Sequence, residues 1–308
     1  MKLNRKFQLT VQLSPYSYDV LGRPVSADKG FTQSEYAVVA SPYTLEFDIN
    51  RNVLSQVNTA TFKVYNLGPE TRDKFYKDRA DLTLYRQLIL RAGYDGNMPI
   101  VFQGNILSAD SYKNGTDIIT EIICNDGGIA TIAGFVNQAF GISKSQSDVI
   151  NGLATQVPLS TWSGIVPASF DKVYKRGLSI SGSPWQELKK LTNGRCFIDC
   201  ETIYALNDYD AIEGELALVN SETGLISAPR KYREYIEAEM IFEPRIRVGQ
   251  VIRLESTINR YINGTYKVTG FRHSGTISDA VSGDCKTTMH VFTGTSPLRE
   301  YQIKNGIR

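Results

Sequence analysis

The sequence is poor in the residues from which most active sites are built. Two histidines, His273 and His290, serve all 308 residues, so any Ser-His-Asp or Cys-His arrangement must use one of them. Both fall in strand-like stretches, where a structural or solvent-facing imidazole is the plainer reading. Nucleotide chemistry has no motif here: the Gly-x-x-x-x-Gly-Lys-Ser/Thr loop and a Gly-x-Gly-x-x-Gly after a strand are both missing. Gly-x-Ser-x-Gly and His-Glu-x-x-His are missing too. The four cysteines, Cys124, Cys196, Cys200 and Cys285, read as reduced buried thiols. Cys196 and Cys200 lie in one strand-like run, about 13 Å apart at roughly 3.3 Å per residue. That is too far for a disulfide or a shared metal ion unless the chain turns between them. Asn125-Asp126-Gly127-Gly128 lacks the ligand spacing of a calcium loop and reads as a turn before a helix.

Charge of one sign is also lacking. Thirty-four basic residues against 32 acidic ones leave +2, with the signs mixed everywhere. A protein that neutralises many phosphates shows a basic stripe in its sequence, and none is visible. No run of about 18 apolar residues exists, so no membrane anchor is expected. The N-terminus has charge but no apolar segment, so no secretory leader is expected and the chain is placed, at least at first, in a cytoplasm.

What is present points to β-structure. Apolar residues make up 42% of the chain, with 17 Tyr and 13 Phe against two Trp; aromatics suit a pleated surface. Residues 7–13, 45–50 and 59–64 alternate apolar and polar with the period of half-buried strands. Pro69 followed by Glu70 and Asp73 opens a short helix, and strands resume at 87–94, 99–109 and 117–124. Lys113-Asn114-Gly115 and Ile262-Asn263-Gly264-Thr265 are expected hairpin turns, since Asn-Gly tolerates the positive φ of type I′. Between residues 126 and 235 the character changes to mixed α/β. Ser145 to Asp148 precede Val149, Ile150, Leu153 and Val157, the spacing of one helix face. Ser183-Pro184-Trp185-Gln186 reads as a capping box, and Asn193-Gly194 as the end of that helix. Cys196–Leu206 is expected as a strand. A last β-module, 236–294, has strands at 237–242, 248–255, 266–273 and 286–292, and residues 295–308 form an exposed extension.

Paired carboxylates are the one enzymatic arrangement that the composition permits. Glu237 and Glu239 share a strand face at about 7 Å, and Asp208 and Asp210 flank Tyr209. Glycosidases need such a pair, but alternating acids also describe the wet face of any half-exposed strand.

Three stretches resemble the baseplate hub proteins of contractile phage tails, related to the hub part of type VI secretion spike proteins. They are Asn66-Leu67-Gly68-Pro69-Glu70-Thr71-Arg72, then Ile241 to Gln250 with Ile262 to Val268, and Phe271 to Ser278 with Cys285 to Phe292. The resemblance implies a mainly β (α+β) fold, with two tube-type β-barrel domains, 1–125 and 236–294, separated by the mixed region 126–235. It implies a homotrimeric ring of pseudo-sixfold symmetry, assembled in a host cytoplasm into a virion. The ring joins a central spike to the tail tube or its initiator, near tape-measure and wedge proteins, and passes DNA without gripping it. Glu46, Asp48, Lys63, Arg253 and Lys267 are expected to face the lumen, and Leu298, Arg299 and Tyr301 to contact a partner. Neither cofactor nor catalysis is expected. The alternatives are a peptidoglycan hydrolase using a carboxylate pair and a glycan-binding module using Tyr209, Tyr232 and Tyr235.

Overall fold

The period-two pattern builds most of the molecule. The structure is a computed structural model that describes residues 4–292, except 14–15, 19–23, 27–35, 54–56, 80–84, 95, 168–169, 171, 209, 213–215 and 281–282. β1 (Arg5–Gln12) buries Phe7, Leu9 and Val11. A small hairpin of β2 (Tyr16–Tyr18) and β3 (Pro24–Ser26) precedes β4 (Tyr36–Ala40), which lies antiparallel on β1. β5 (Leu45–Asn52) and β6 (Asn58–Tyr65) bury Leu45, Phe47, Ile49, Phe62 and Val64 on one face. Helix α1 (Pro69–Phe75) starts on its proline. It ends against the buried Arg86, whose guanidinium donates to the carbonyls of Lys74 (2.7 Å), Tyr76 (3.0 Å) and Phe75. Those are carbonyls that a helix C-terminus leaves without intrahelical donors. β7 (Gln87–Tyr94), β8 (Ile100–Asn114) and β9 (Asp117–Asp126) complete this part. The β8–β9 loop places Gly115, at φ 62°, first of its two residues, the type II′ arrangement instead of the expected Asn-Gly turn.

The middle region runs α2 (Gly128–Ile132), β10 (Val136–Phe140), α3 (Gln146–Ala154), β11 (Thr161–Trp162), β12 (Leu178–Gly182), α4 (Pro184–Leu191), β13 (Cys196–Asp199) and β14 (Thr202–Ala205). The capping box forms at Ser145 and Asp148, on α3. At α4, where it was expected, Ser183 caps without a side-chain hydrogen bond. Asn193 and Gly194 do stop α4, both at positive φ. β15 (Ala217–Val219), β16 (Arg230–Lys231), β17 (Tyr235–Ile241), β18 (Val251–Leu254), β19 (Gly264–Ile277) and β20 (Cys285–Phe292) follow.

One 13-stranded sheet runs through both β-rich parts, in the order β16-β17-β20-β19-β5-β6-β9-β8-β7-β1-β4, with β18 also on β19 and β15 on β18. The join is the antiparallel ladder of β19 on β5, from Gly270 opposite Asn52 to Ile277 opposite Leu45. The sheet curls until β1 and β7 approach the far strands. Arg5 Nη2 donates to Gly283 O (2.8 Å), Lys6 pairs with Asp279 (2.9 Å) and Tyr94 Oη donates to Phe242 O (2.9 Å). Phe242, Ile277 and Cys285 accordingly join the core of the first part. Among the described residues, no hydrogen-bonded ladder closes the curl into a barrel.

The middle region reaches this sheet through a turn that the sequence disguises. Cys196–Leu206, expected as one strand, folds back on itself: Cys200 (φ 50°) and Glu201 (φ 58°) form a tight turn between β13 and β14. Left-handed backbone at both residues ordinarily selects Gly or Asn. Here the carboxylate of Asp126, at the end of β9, accepts the N–H of Cys200 (2.7 Å) and of Glu201 (2.8 Å). Asn58 Nδ2 donates to Ile198 O (2.8 Å). Arg51 on β5, sandwiched between Phe102 and Phe271, donates to Asp199 (2.6 Å) and to Val101 O. The side chain of Glu201 is held by Gln87 and Gln103 (2.8 Å each) and by Tyr85 Oη. Burial pushes Asp126 up to about 7, against the pull of Arg51 and with the push of Asp199.

Two predictions follow from this cluster. Arg51→Ala strands both carboxylates in the interior, and denaturant unfolding should show a loss of about 3–5 kcal/mol. The second concerns pH. Between about 4 and 7 the folded chain keeps a proton on Asp126 that the unfolded chain has lost, so this group makes stability fall as pH rises. His273 acts oppositely. It is buried against Phe242 and Phe271, and burial pushes it down to about 3, so between 3 and 6.5 the unfolded chain binds the extra proton and stability rises with pH. Asp126→Asn should therefore unmask the rising slope, and unfolding free energies measured from pH 4 to 6.5 should climb more steeply than in the wild type.

Candidate functional surface

Strand alternation brings the polar residues of six neighbouring strands to one face. Register fixes the rows. Glu237 lies opposite His290, and Glu239 opposite Thr288 beside Lys286. Arg272 lies opposite Asn50 and Ser274 opposite Asp48, Asp48 opposite Thr61 and Glu46 opposite Lys63, and Lys63 opposite Glu121. The far side of the same strands carries Phe47, Ile49, Phe62, Met289 and Val291, all buried. One face of the sheet is therefore core and the other is a mostly polar wall, interrupted on β9 by Ile123 opposite Thr61.

The cations on this wall are engaged. Lys63 Nζ meets Glu46 (3.3 Å), and Tyr65 Oη donates to the same carboxylate (3.0 Å). Arg272 makes a two-pronged contact with Asp48, its Nε at 2.8 Å. Lys286 meets Glu239 (2.5 Å), and His290 lies 3.4 Å from Glu237. The carboxylates of Glu46, Asp48, Glu121, Glu237 and Glu239 outnumber the permanent cations Lys63, Arg272 and Lys286, so the wall carries a net negative charge. Phosphates are repelled by such a surface.

Of the residues expected to share a lumen-facing wall, Glu46, Asp48 and Lys63 stand together on this face. Arg253 is exposed on β18, paired with Glu255 (2.7 Å). Lys267 is different: it is buried, because the segment Asn207–Asp208 lies over it and its Nζ donates to Asn207 O (2.7 Å). Burial there pushes it down to about 8. Leu298, Arg299 and Tyr301 lie outside the described residues, as does Tyr209.

The candidate carboxylate pairs are tied up in local contacts. Glu237 and Glu239 are held by His290 and Lys286; Asp208 meets Arg195 (2.9 Å), and Asp210 accepts from Asn207 Nδ2 (2.8 Å). Tyr232 stacks on Tyr235 at 4.8 Å between ring centroids, and His290 lies tilted against Tyr235 at the same distance, so these rings are engaged with one another. The cysteines are unbridged, and among the described residues no cluster of His, Cys, Asp and Glu could hold a metal ion. No described helix is long and apolar enough to cross a membrane. Sequence reading missed Arg272, Lys286 and His290 as wall residues: Arg272 meets Asp48 only through the β19–β5 ladder, and β20 reaches this face only through β19.

The family model described as "Baseplate hub gp41" matches residues 28–277. No curated protein matches the sequence. Among solved structures, the fold is similar to a tail protein from Neisseria meningitidis MC58, at 10% identity and TM-score 0.53, covering 94% of this chain and 97% of that one. It is also similar to the 43 kDa tail protein of prophage MuSo2 from Shewanella oneidensis, at 7% identity and TM-score 0.54, covering 85% and 94%. A chain of the lidded Francisella PdpA–VgrG complex matches at 8% identity and TM-score 0.53, over 94% of this chain and 53% of that one. At these identities the likeness is one of fold.

Exposed ion pairs contribute little to folding, about 0–1 kcal/mol each. Asp48→Asn should therefore leave the unfolding midpoint of the chain almost unmoved, as thermal melts of the purified protein can verify. A large drop would mean that the wall is a buried structural element.

Proposed function

We propose a structural role that starts from one fact: the chain belongs to the baseplate hub gp41 family. In this reading it is a virion component of a contractile tail. Three copies close into a ring, each supplying two tube-type β-modules, so that a threefold spike meets a sixfold tube. The polar wall lines the lumen through Glu46, Asp48 and Lys63, with Arg253 beside them. The observation that carries the reading is this wall: a seamless face across the join of the two modules, with its cations paired and its balance negative. A conduit for DNA has to let phosphates pass, and on these six strands each cation of the face is already held by a carboxylate.

Ring closure needs strand edges, because an open edge presents unpaired N–H and C=O groups. The main path of the sheet ends at β16 and β4, which differ in this respect. β16 is two residues long and both are exposed cations, Arg230 and Lys231, which is a protected edge. β4 is uncharged and five residues long, with Tyr36 and Val38 exposed. β4 is therefore the edge suited to meet a neighbouring copy.

Native mass by light scattering after size exclusion, alone and with the co-expressed spike, tests the reading. A trimer or a 3:3 complex is the expected result, and a strict monomer under both conditions would overturn it. Val38→Lys places a charge on the open edge, and should reduce the trimer to monomers while shifting the monomer's melting temperature by no more than a few degrees.

A further inference from the structure

The connection between β18 and β19 was expected to be a tight Asn-Gly hairpin and is instead a built projection. Asn263 has φ −65°, and a 3₁₀ turn occupies Arg260–Ile262. The asparagine works through its side chain: Oδ1 accepts from Ser256 N (2.7 Å) and Nδ2 donates to Ser256 O (3.2 Å). Asn259 N donates to Ser256 Oγ (3.1 Å), and Tyr266 Oη donates to Ile262 O (2.7 Å). Ile262 is buried beneath the loop. Out of this rigid frame stand Ile258 and Tyr261, 74% and 76% exposed.

Rigid frames carrying exposed aromatic and aliphatic side chains are what interface anchors look like, since little conformational freedom is lost on docking. The electrostatics say more. Asn259 Nδ2 donates to Pro229 O (2.9 Å), which fastens the loop against the segment Arg230–Arg233. Arg260 on the loop and Arg230, Lys231 and Arg233 along that segment are exposed, Arg230 opposite Glu237 in register, and among the described residues no ion pair engages them. Nearby, Glu234 is exposed and Glu255 is already held by Arg253. The cations of the wall are paired, whereas those around this projection are not.

We propose that this projection docks a second protein of the assembly, one that presents an apolar socket with carboxylates on its rim. The free cations require an acidic counterpart. A protein fits better than a nucleic acid because, of the two side chains that stand out, Ile258 offers nothing to phosphate or base and only Tyr261 carries a ring, whereas an apolar socket accepts both. The inference rests on the hub reading: the projection stands beyond the end of β19 where the ladder with β18 stops, Leu254 opposite Gly264, at a rim of the sheet. That is where a protein stacked above or below the ring would meet it.

The test uses the full chain with the purified spike and tube proteins of the same virion, each titrated by calorimetry at 0.1 and 0.5 M NaCl. The wild type is expected to bind one of them, more weakly at high salt. Ile258→Asp and the pair Arg230→Glu with Arg260→Glu should each weaken that complex by about tenfold or more. The mass of the chain's own oligomer should not change, which separates this site from the β4 edge. Variants that bind both proteins like the wild type would overturn the docking site and leave the hub reading standing. A wild type that binds neither would overturn both. Duplex DNA and anionic vesicles serve as further probes. Binding to either that the variants lose, with both protein complexes intact, would assign the projection to that class and overturn the protein partner.

Discussion

The ladder between β19 and β5 is the constraint from which the rest follows. It joins residues 270–277 to residues 45–52, two stretches at opposite ends of the chain, and makes one sheet of two modules. Because side chains alternate with period two, the register of this ladder decides which face every neighbouring strand presents. A slip of one residue would turn Phe47 and Ile49 outward and bring Asp48 and Arg272 into the core. Burial of Phe47, Ile49 and Phe271 therefore fixes the register, and the register in turn assembles the polar wall. The wall is a by-product of the core.

The middle region depends on the same ladder. Arg51 sits on β5 within the join, opposite Phe271, and from there it reaches Asp199 on the β13–β14 hairpin. Asp126 holds the turn of that hairpin from the end of β9. A charged residue buried at the join of three chain segments is a poor source of net stability, because desolvation offsets most of the attraction. What it supplies is position: the guanidinium and the two carboxylates fit one arrangement of hairpin on sheet, and removing one partner leaves the others unpaired.

Much of the fold was legible from local pattern. The strands at 45–50 and 59–64, the helix opening on Pro69, the helix face of Val149, Ile150 and Leu153, and the stop at Asn193-Gly194 all needed only nearby residues. The failures share one cause, which is that a distant residue decides a local conformation. Cys200 and Glu201 take left-handed backbone with neither Gly nor Asn, since Asp126, 74 residues away from Cys200, accepts the N–H groups. Asn263-Gly264, a hairpin signal by type, becomes part of a longer loop because its side chain finds Ser256. Lys267 alternates as a wall residue should, but Asn207–Asp208 lies over it. The ladder of β19 with β20 shifts register between Val268 and Gly270, so alternation cannot be carried along that strand. Part of the wall was readable, namely Glu46, Asp48 and Lys63, because β5 and β6 are sequence neighbours. The rows of β17 and β20 join it only through β19.

Net charge conceals how the charges are used. A balance of +2 over the chain suits a protein indifferent to nucleic acid, yet the fold sorts the same residues into two kinds of surface. On the sheet face, cross-strand partners sit within hydrogen-bonding reach, so each cation is neutralised in place and an excess of carboxylate remains. Around the β18–β19 loop, cations from segments about 30 residues apart converge without partners of their own. A sequence scan for basic stripes cannot see that convergence, because Arg230, Lys231 and Arg233 are separated from Arg260 by the whole of β17 and β18. Pairing and its absence mark where the molecule has finished its own contacts and where it has left some to be made.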